Sequence, residues 1–241
     1  CEVSAPDCLE SFNLLKDDPQ VRLVSLMDHA PGQRQFASMD AYKTYYQGKL
    51  KLSDAELDDF TRRRNIESDS FAGPHRRAIA QACRALGIVL ASHDDATRDH
   101  VEEAVALGID VAEFPTTMEA AKASRQAGMA ILMGGPNVVR GGSHSGNVSA
   151  RALAEADLLD ILSSDYIPFS MLQSAFSLAE NVEGISLAKA VQLVTKRPAE
   201  AAGFRDRGEI VTGKRADFVH LRVEDGIPIV LTVYREGRRV I

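Results

Sequence analysis

Five short apolar runs, separated by longer stretches of helical composition, constrain this chain more than any other feature of its sequence. The runs are residues 21–27, 87–91, 109–114, 129–133 and 158–162. Each is too short to stand as an independent helix and is rich in Val, Ile and Leu, as a strand covered on both faces must be. Between them, residues 74–86, 96–107 and 116–127 have helical character and stop at Gly87, Gly108 and Gly128, residues suited to closing a helix. Residues 149–156 are a further helix candidate, and Ser53 with Glu56 three positions on makes an N-cap signature. Strand and helix alternating at this spacing predict parallel strands joined by crossover helices. An open doubly wound sheet favours a Gly-x-Gly-x-x-Gly turn after its first strand, and the sequence has none. A (β/α)8 barrel has no such requirement and gathers its chemistry at the C-terminal ends of its strands.

Those strand ends are unusually polar. The first run ends in Asp28-His29, and the second in Ser92-His93-Asp94-Asp95. Glu113-Phe114-Pro115, Gly134-Gly135-Pro136-Asn137 and Ser164-Asp165-Tyr166 end the other three. Polar residues follow strands everywhere, but five such endings in register predict one chemically equipped rim. Neutral imidazole and carboxylate together suit a divalent metal such as zinc or manganese. Such an ion can acidify a bound water and polarise a carbonyl or phosphoryl oxygen.

After Pro198 the pattern changes. Residues 208–219 read as strand, turn and strand, and residues 227–234 and 239–241 read as two more strands around a Glu236-Gly237 turn. This predicts a barrel part over residues 1–203 and strands of a small accessory β-sandwich over 204–241. A net charge of −6, from 28 basic and 34 acidic side chains, argues against nucleic-acid binding. No apolar run approaches the roughly 20 residues that cross a bilayer. Cys1, Cys8 and Cys83 form no Cys-x-x-Cys pair and read as free thiols of a reducing cytosol. The N-terminus carries no export signal, and the lack of an initiator Met predicts further chain upstream.

The sequence resembles the amidohydrolase superfamily of metal-dependent hydrolases. The tail carries the first part of that resemblance, in Pro198-Ala199-Glu200-Ala201-Ala202-Gly203, Gly208-Glu209-Ile210 and Gly213-Lys214-Arg215-Ala216-Asp217. Asp165 matches the place of the superfamily's last-strand aspartate. Longer runs are similar to one family within it, the PhnM-type α-D-ribose 1-methylphosphonate 5-triphosphate diphosphatases of phosphonate breakdown. They are Asp28-His29-Ala30-Pro31-Gly32-Gln33-Arg34-Gln35-Phe36, Ser92-His93-Asp94-Asp95-Ala96-Thr97 and Glu113-Phe114-Pro115-Thr116-Thr117. Two more are Gly135-Pro136-Asn137-Val138-Val139-Arg140-Gly141-Gly142-Ser143-His144-Ser145-Gly146-Asn147-Val148 and Ser163-Ser164-Asp165-Tyr166. The likeness extends over essentially the whole chain. Members of that family carry roughly another third of chain upstream, so about six barrel strands are expected here, too few to close an eight-stranded barrel.

The resemblance implies roles residue by residue. Glu2, His93 and Asp165 are expected to bind metal, with zinc the expected ion and manganese or iron the alternatives. Glu113 is balanced between binding metal or substrate and pairing with an arginine. Asp165 is also expected to take a proton from the attacking water, although a carboxylate there could instead cap the next helix. His29 is a ligand, a proton donor to the leaving group, or a structural histidine. Asp94 and Asp95 could cap the following helix, and capping is the preferred reading for Asp95. Arg140, Gly142, Ser143 and His144 form a loop whose backbone N–H groups, hydroxyl and guanidinium suit a phosphate, with Arg34 a weaker candidate for the same task. Arg62, Arg63 and Arg64 read as a solvated helix face.

The activity so implied is hydrolysis of the 5-triphosphate to the 5-phosphate and pyrophosphate. Its partner is a small phosphorylated substrate, with no nucleic acid or membrane, in the cytoplasm. An open barrel edge would invite a homo-oligomer or other phosphonate-pathway proteins. A hydrolase or deaminase of cyclic amides, and a non-catalytic scaffold, stand as the alternatives.

Overall fold

The computed structural model describes residues 1–34, 39–143 and 146–241. The chain forms two compact units, the first chiefly Cys1–Met129 and the second Ala130–Ser143 with Val148–Ile241.

The first unit carries helices α1 (Cys8–Leu15), α2 (Met39–Leu50), α3 (Asp54–Glu67), α4 (Gly73–Leu86), α5 (Arg98–Ala106) and α6 (Met118–Gln126). Its strands β1 (Leu23–Leu26), β2 (Val89–His93) and β3 (Val111–Glu113) run parallel, with Leu26 beside Ser92 and His93 beside Glu113. An isolated parallel bridge from Glu2 to Met27 extends the pairing past β1. The apolar runs therefore form strands where the sequence predicts them. Val24, Leu26, Leu90, Ala91, Val111 and Ala112 are all buried.

Helix α4 buries His75, Ile79, Ala80 and Cys83, one face at three- and four-residue spacing. It ends at Gly87, whose φ of 68° is a left-handed value that a glycine adopts without a Cβ clash. Ser53 and Glu56 form a complete capping box on α3, each accepting the other's backbone N–H. Between α3 and α4 the chain makes a π-helical turn, Ser68–Ala72, so the helical path is unbroken from Asp54 to Leu86. Helix α5 is capped by Thr97, which accepts the His100 N–H at 3.3 Å. The capping role expected of Asp95 thus falls to a residue two positions on, because Asp95 is turned inward and buried.

In the second unit, β4 (Ala130–Gly134) and β5 (Ile161–Ser163) are parallel, with Gly134 beside Ser163. The short helices α7 (Gly135–Val139) and α8 (Ala150–Glu155) lie between these strands in the chain, and the longer α9 (Ser170–Asn181) follows β5. The antiparallel sheet comprises β6 (Phe218–Glu224), β7 (Ile227–Arg235) and β8 (Arg238–Arg239). Asp225-Gly226 and Glu236-Gly237 both have positive φ at two successive residues, as two-residue hairpin turns of matching twist require.

The strand expected within residues 209–211 does not form. Gly208 there has φ 92° and lies so near Lys196, Ala199 and the Thr195 carbonyl that a Cβ would meet them at 3.0–3.1 Å. Glu209 is tied to Lys196 and Lys214 at 2.7 Å each. Close packing and ion pairing, not a ladder, satisfy this segment. Among the described residues, no helix is long and apolar enough to cross a membrane.

Candidate metal centre

The strand ends of the first unit converge. His29 lies three residues past β1, His93 is the last residue of β2, and Asp94 follows it directly. One ligand atom from each of His29, His93 and Asp94 lies within 4.8 Å of the other two. His29 Nε2 is 4.0 Å and His93 Nε2 3.6 Å from Asp94 Oδ2. The two imidazoles meet edge to face, with centroids 5.3 Å apart.

Both rings are held from behind. His29 Nδ1 donates to Glu2 Oε2 at 2.6 Å, and His93 Nδ1 donates to Glu113 Oε2 at 2.7 Å. A carboxylate partner at Nδ1 selects the tautomer in which Nε2 carries the lone pair, the form that can ligate a cation. The carboxylates are held in turn. Glu2 Oε1 accepts from the His29 backbone N–H at 3.0 Å, Ser4 Oγ at 2.6 Å and Arg64 Nη2 at 3.2 Å. Glu113 Oε2 also accepts from Ser25 Oγ. Two free Nε2 lone pairs and a carboxylate oxygen, all oriented and mostly screened from water, fit a divalent metal.

The charges respond to this crowding. Burial pushes the Glu2 carboxyl up, but hydrogen bonds from His29 and Ser4 outweigh it and hold its pKa down at about 2. Burial raises Asp94, with the two imidazoles only partly opposing it. His93 is pushed down by burial and raised further by Glu113 and Asp94, so it ends above its usual value. Glu113 is correspondingly lowered against its own burial, chiefly by His93. A pocket with surplus negative charge thus favours a cation, whether a proton or a metal ion.

Backbone geometry repeats at the strand ends. Asp94, Phe114 and Asp165 all take positive φ, at 57°, 56° and 48°, directly or shortly after β2, β3 and β5. Such values cost a non-glycine residue free energy and concentrate where side chains must be aimed. Asp94 is held there by its N–H to the Glu113 carbonyl at 3.0 Å.

Glu2 and Glu113 hold the imidazoles through Nδ1, and the group able to hold a metal comprises His29, His93 and Asp94. For Asp94 the sequence alone leaves capping open, with capping the preferred role only of Asp95. The signal was present in Thr97, a sufficient cap that frees both acids for other work. Arg64 does not share the solvated face of Arg62 and Arg63, because it reaches Glu2. Arg34 is not a free phosphate ligand. It is buried and its guanidinium is held between Asp95 and Glu103.

In the second unit, Asp165 lies two residues past β5, and α9 begins only at Ser170, so Asp165 is not its cap. A Cβ on Gly134 would sit 2.9 Å from Asp165 Oδ2, so glycine makes the room this carboxylate occupies. Arg140 follows α7, exposed, with Nη1 3.5 Å from the Tyr166 hydroxyl. Gly142 and Ser143 come next, and His144 lies outside the described residues.

Comparison with known proteins places this arrangement. The chain is 51% identical over 241 residues to the α-D-ribose 1-methylphosphonate 5-triphosphate diphosphatase of Escherichia coli (strain K12). That match takes in 100% of this chain and 64% of the relative's length. Among solved structures, the ochratoxinase of A. niger is similar with TM-score 0.52 at 14% identity, over 70% of this chain and 45% of that one. The 5-methylcytosine deaminase of Klebsiella pneumoniae, liganded with 5-fluorocytosine, is similar with TM-score 0.50 at 15% identity, over 74% and 52%. At such identities the likeness is one of fold. Residues 66–240 match the amidohydrolase family along their whole extent. By that match, together with a parallel α/β fold and a histidine–aspartate group at its strand ends, the chain belongs to the amidohydrolase family.

Proposed function

We propose that this chain serves a metal-dependent hydrolase that cleaves α-D-ribose 1-methylphosphonate 5-triphosphate to the 5-phosphate and pyrophosphate. The observation that carries this reading is the 51% identity, unbroken over all 241 residues, to a relative named for that diphosphatase activity. His29 and His93, through Nε2, and Asp94 would hold the ion, for which zinc suits two imidazoles and a carboxylate. When bound, a divalent ion supplies Lewis acidity and a more acidic water.

The chain's own groups supply the rest. Glu2 and Glu113 hold both imidazoles through Nδ1 and so aim their Nε2 atoms. Asp165 is assigned the proton acceptor. As the water oxygen bonds to phosphorus, its proton passes to that carboxylate and the bridging P–O bond breaks, its electron pair leaving with pyrophosphate. Arg140 offers a planar fork to phosphate oxygens, and Gly142, Ser143 and His144 offer backbone and side-chain donors. The free thiols Cys1, Cys8 and Cys83 support a reducing, cytoplasmic setting. Burial pushes Cys83 up to about 11, which leaves it an inert core thiol.

The test is a substrate panel with zinc-loaded protein, reading pyrophosphate release from the triphosphate against ring opening of cyclic amides. Pyrophosphate release should dominate. Faster turnover of a cyclic amide would overturn the reading, and uptake of less than about a tenth of an equivalent of zinc would favour a non-catalytic scaffold.

A further inference from the structure

Behind the candidate metal centre, wholly within the first unit, runs a chain of charges that the proposed chemistry does not use. Asp28, buried, accepts from the Ala30 N–H at 3.1 Å, from Ser68 Oγ at 2.8 Å and from Arg76 Nη2 at 3.4 Å. Arg76 Nη1 lies 3.5 Å from Glu103 Oε1. Glu103 Oε2 receives Arg34 Nη2, and Arg34 Nη1 donates to Asp95 Oδ1 at 2.5 Å. The order is Asp28, Arg76, Glu103, Arg34, Asp95. Its ends are the immediate chain neighbours of His29 and Asp94, so the network grips the two peptides that carry metal-facing side chains.

The burial is severe for charged groups. Asp28 and Asp95 side chains are each 1% exposed, Arg34 is 7% and Arg76 11%. Ion pairs in such surroundings are weak contributors to net stability, because desolvation offsets their attraction, but they hold geometry firmly. The π turn points the same way. Ser68 and Arg76 are eight residues apart, which in a regular α-helix would set them roughly 80° apart around the axis. The π turn between them takes up an extra residue, as i→i+5 bonding does. Eight residues then span what seven span in an α-helix, and both side chains reach the same carboxylate.

We propose that Arg34 and Arg76, bridged by Glu103, are positioning residues of the metal centre, fixing Asp28 and Asp95 and through them the aim of His29 and Asp94. The proposal rests on the metal-centre reading above and adds what sets the affinity of that site. It assigns the buried arginines to orientation and not to phosphate.

Arg76→Lys tests it, since lysine keeps the charge but cannot fork between Asp28 and Glu103. Glu103→Gln is the gentler companion, because Glu103 is 42% exposed and glutamine keeps its shape. Zinc affinity of each full-chain variant is titrated against a chromophoric chelator, the cobalt-loaded visible spectrum is recorded, and the unfolding midpoint of the metal-free protein is measured. The expected result is zinc binding weaker by about tenfold or more for Arg76→Lys and about threefold or more for Glu103→Gln. The cobalt bands should shift while the metal-free midpoint changes little. Arg77→Lys, at the exposed next position, should leave all three readings unchanged. Native zinc affinity and an unaltered cobalt spectrum in both variants would overturn the proposal. So would affinity lost only in step with stability. If Arg76→Lys does not fold, Glu103→Gln decides on the same readings. A wild-type chain that takes up no zinc would remove the metal-centre reading itself and this proposal with it, an outcome distinct from wild-type binding that the variants leave intact.

Discussion

The strand ends of the two units solve different problems. In the first unit, the functional side chains at the ends of β1, β2 and β3 are held by fixed partners. His29 has Glu2, His93 has Glu113, and Arg34 and Arg76 stand behind. In the second unit, the ends of β4 and β5 offer space and exposure: Gly134 yields room to Asp165, and Arg140 stands in solvent. Under the proposed function, the difference teaches that holding an ion and meeting a substrate place opposite demands on a scaffold. A metal site needs preorganised donors, whereas groups that handle a large polyanion need access.

The largest effect that would sharpen this contrast is His93→Ala. It removes a ligand and leaves the half-buried Glu113 without its main partner, so zinc affinity should fall by on the order of a hundredfold or more. Isothermal titration would show it, and native affinity would break the comparison. Next comes Gly134→Ala, in the other unit. Its new Cβ would displace Asp165, so pyrophosphate release should fall about ten- to a hundredfold while zinc content, read by atomic emission, stays unchanged. If zinc is lost along with activity, the division of labour is wrong. Ile79→Ala, on the buried face of α4, should cost about 2–5 kcal/mol in denaturant unfolding with zinc stoichiometry preserved.

The smallest effect concerns two glutamates that share a pKa of about 2 for different reasons. Glu2 reaches it against burial, through hydrogen bonds from His29 and Ser4, and Glu209 through its pairs with the two ammonium groups of Lys196 and Lys214. Both carboxyls are depressed below the ordinary 4.5, so each favours the folded state above that pH, and the contribution is lost as pH falls towards 2. Raising salt to about 1 M should move Glu209 towards its ordinary value more than Glu2, because screening weakens pairing with two lysine charges more than hydrogen bonding from an imidazole and a hydroxyl. Carbon-13 carboxyl titrations of chelator-treated protein would read both, and equal shifts would break the distinction.

Much of the scaffold was legible in advance. The five strands lie within or beside the apolar runs, since a strand covered on both faces leaves a continuous apolar signature. The Ser53–Glu56 box and the Gly87 stop were equally plain, because capping is chemistry within four residues. The tail misled at residues 209–211. Its β-branched Ile210-Val211-Thr212 suits a strand, but Gly208 packing on α-helical backbone and the Glu209 lysine pairs are interactions that composition does not announce. Arg34 misled in the same way, since nothing in its own segment shows that Asp95 and Glu103, more than sixty residues on, will enclose it.

By itself, then, the sequence determined the strands β1 to β5, their order, and which polar residues close each of them, because propensity, capping and period are local. Only the tertiary structure decided between the adjacent acids Asp94 and Asp95, sending one to the imidazoles and the other to a buried arginine. That choice rests on a single left-handed residue at φ 57° and on partners contributed by distant segments. No pattern along the chain encodes it, because the free energy that selects it arises between groups brought together only by folding.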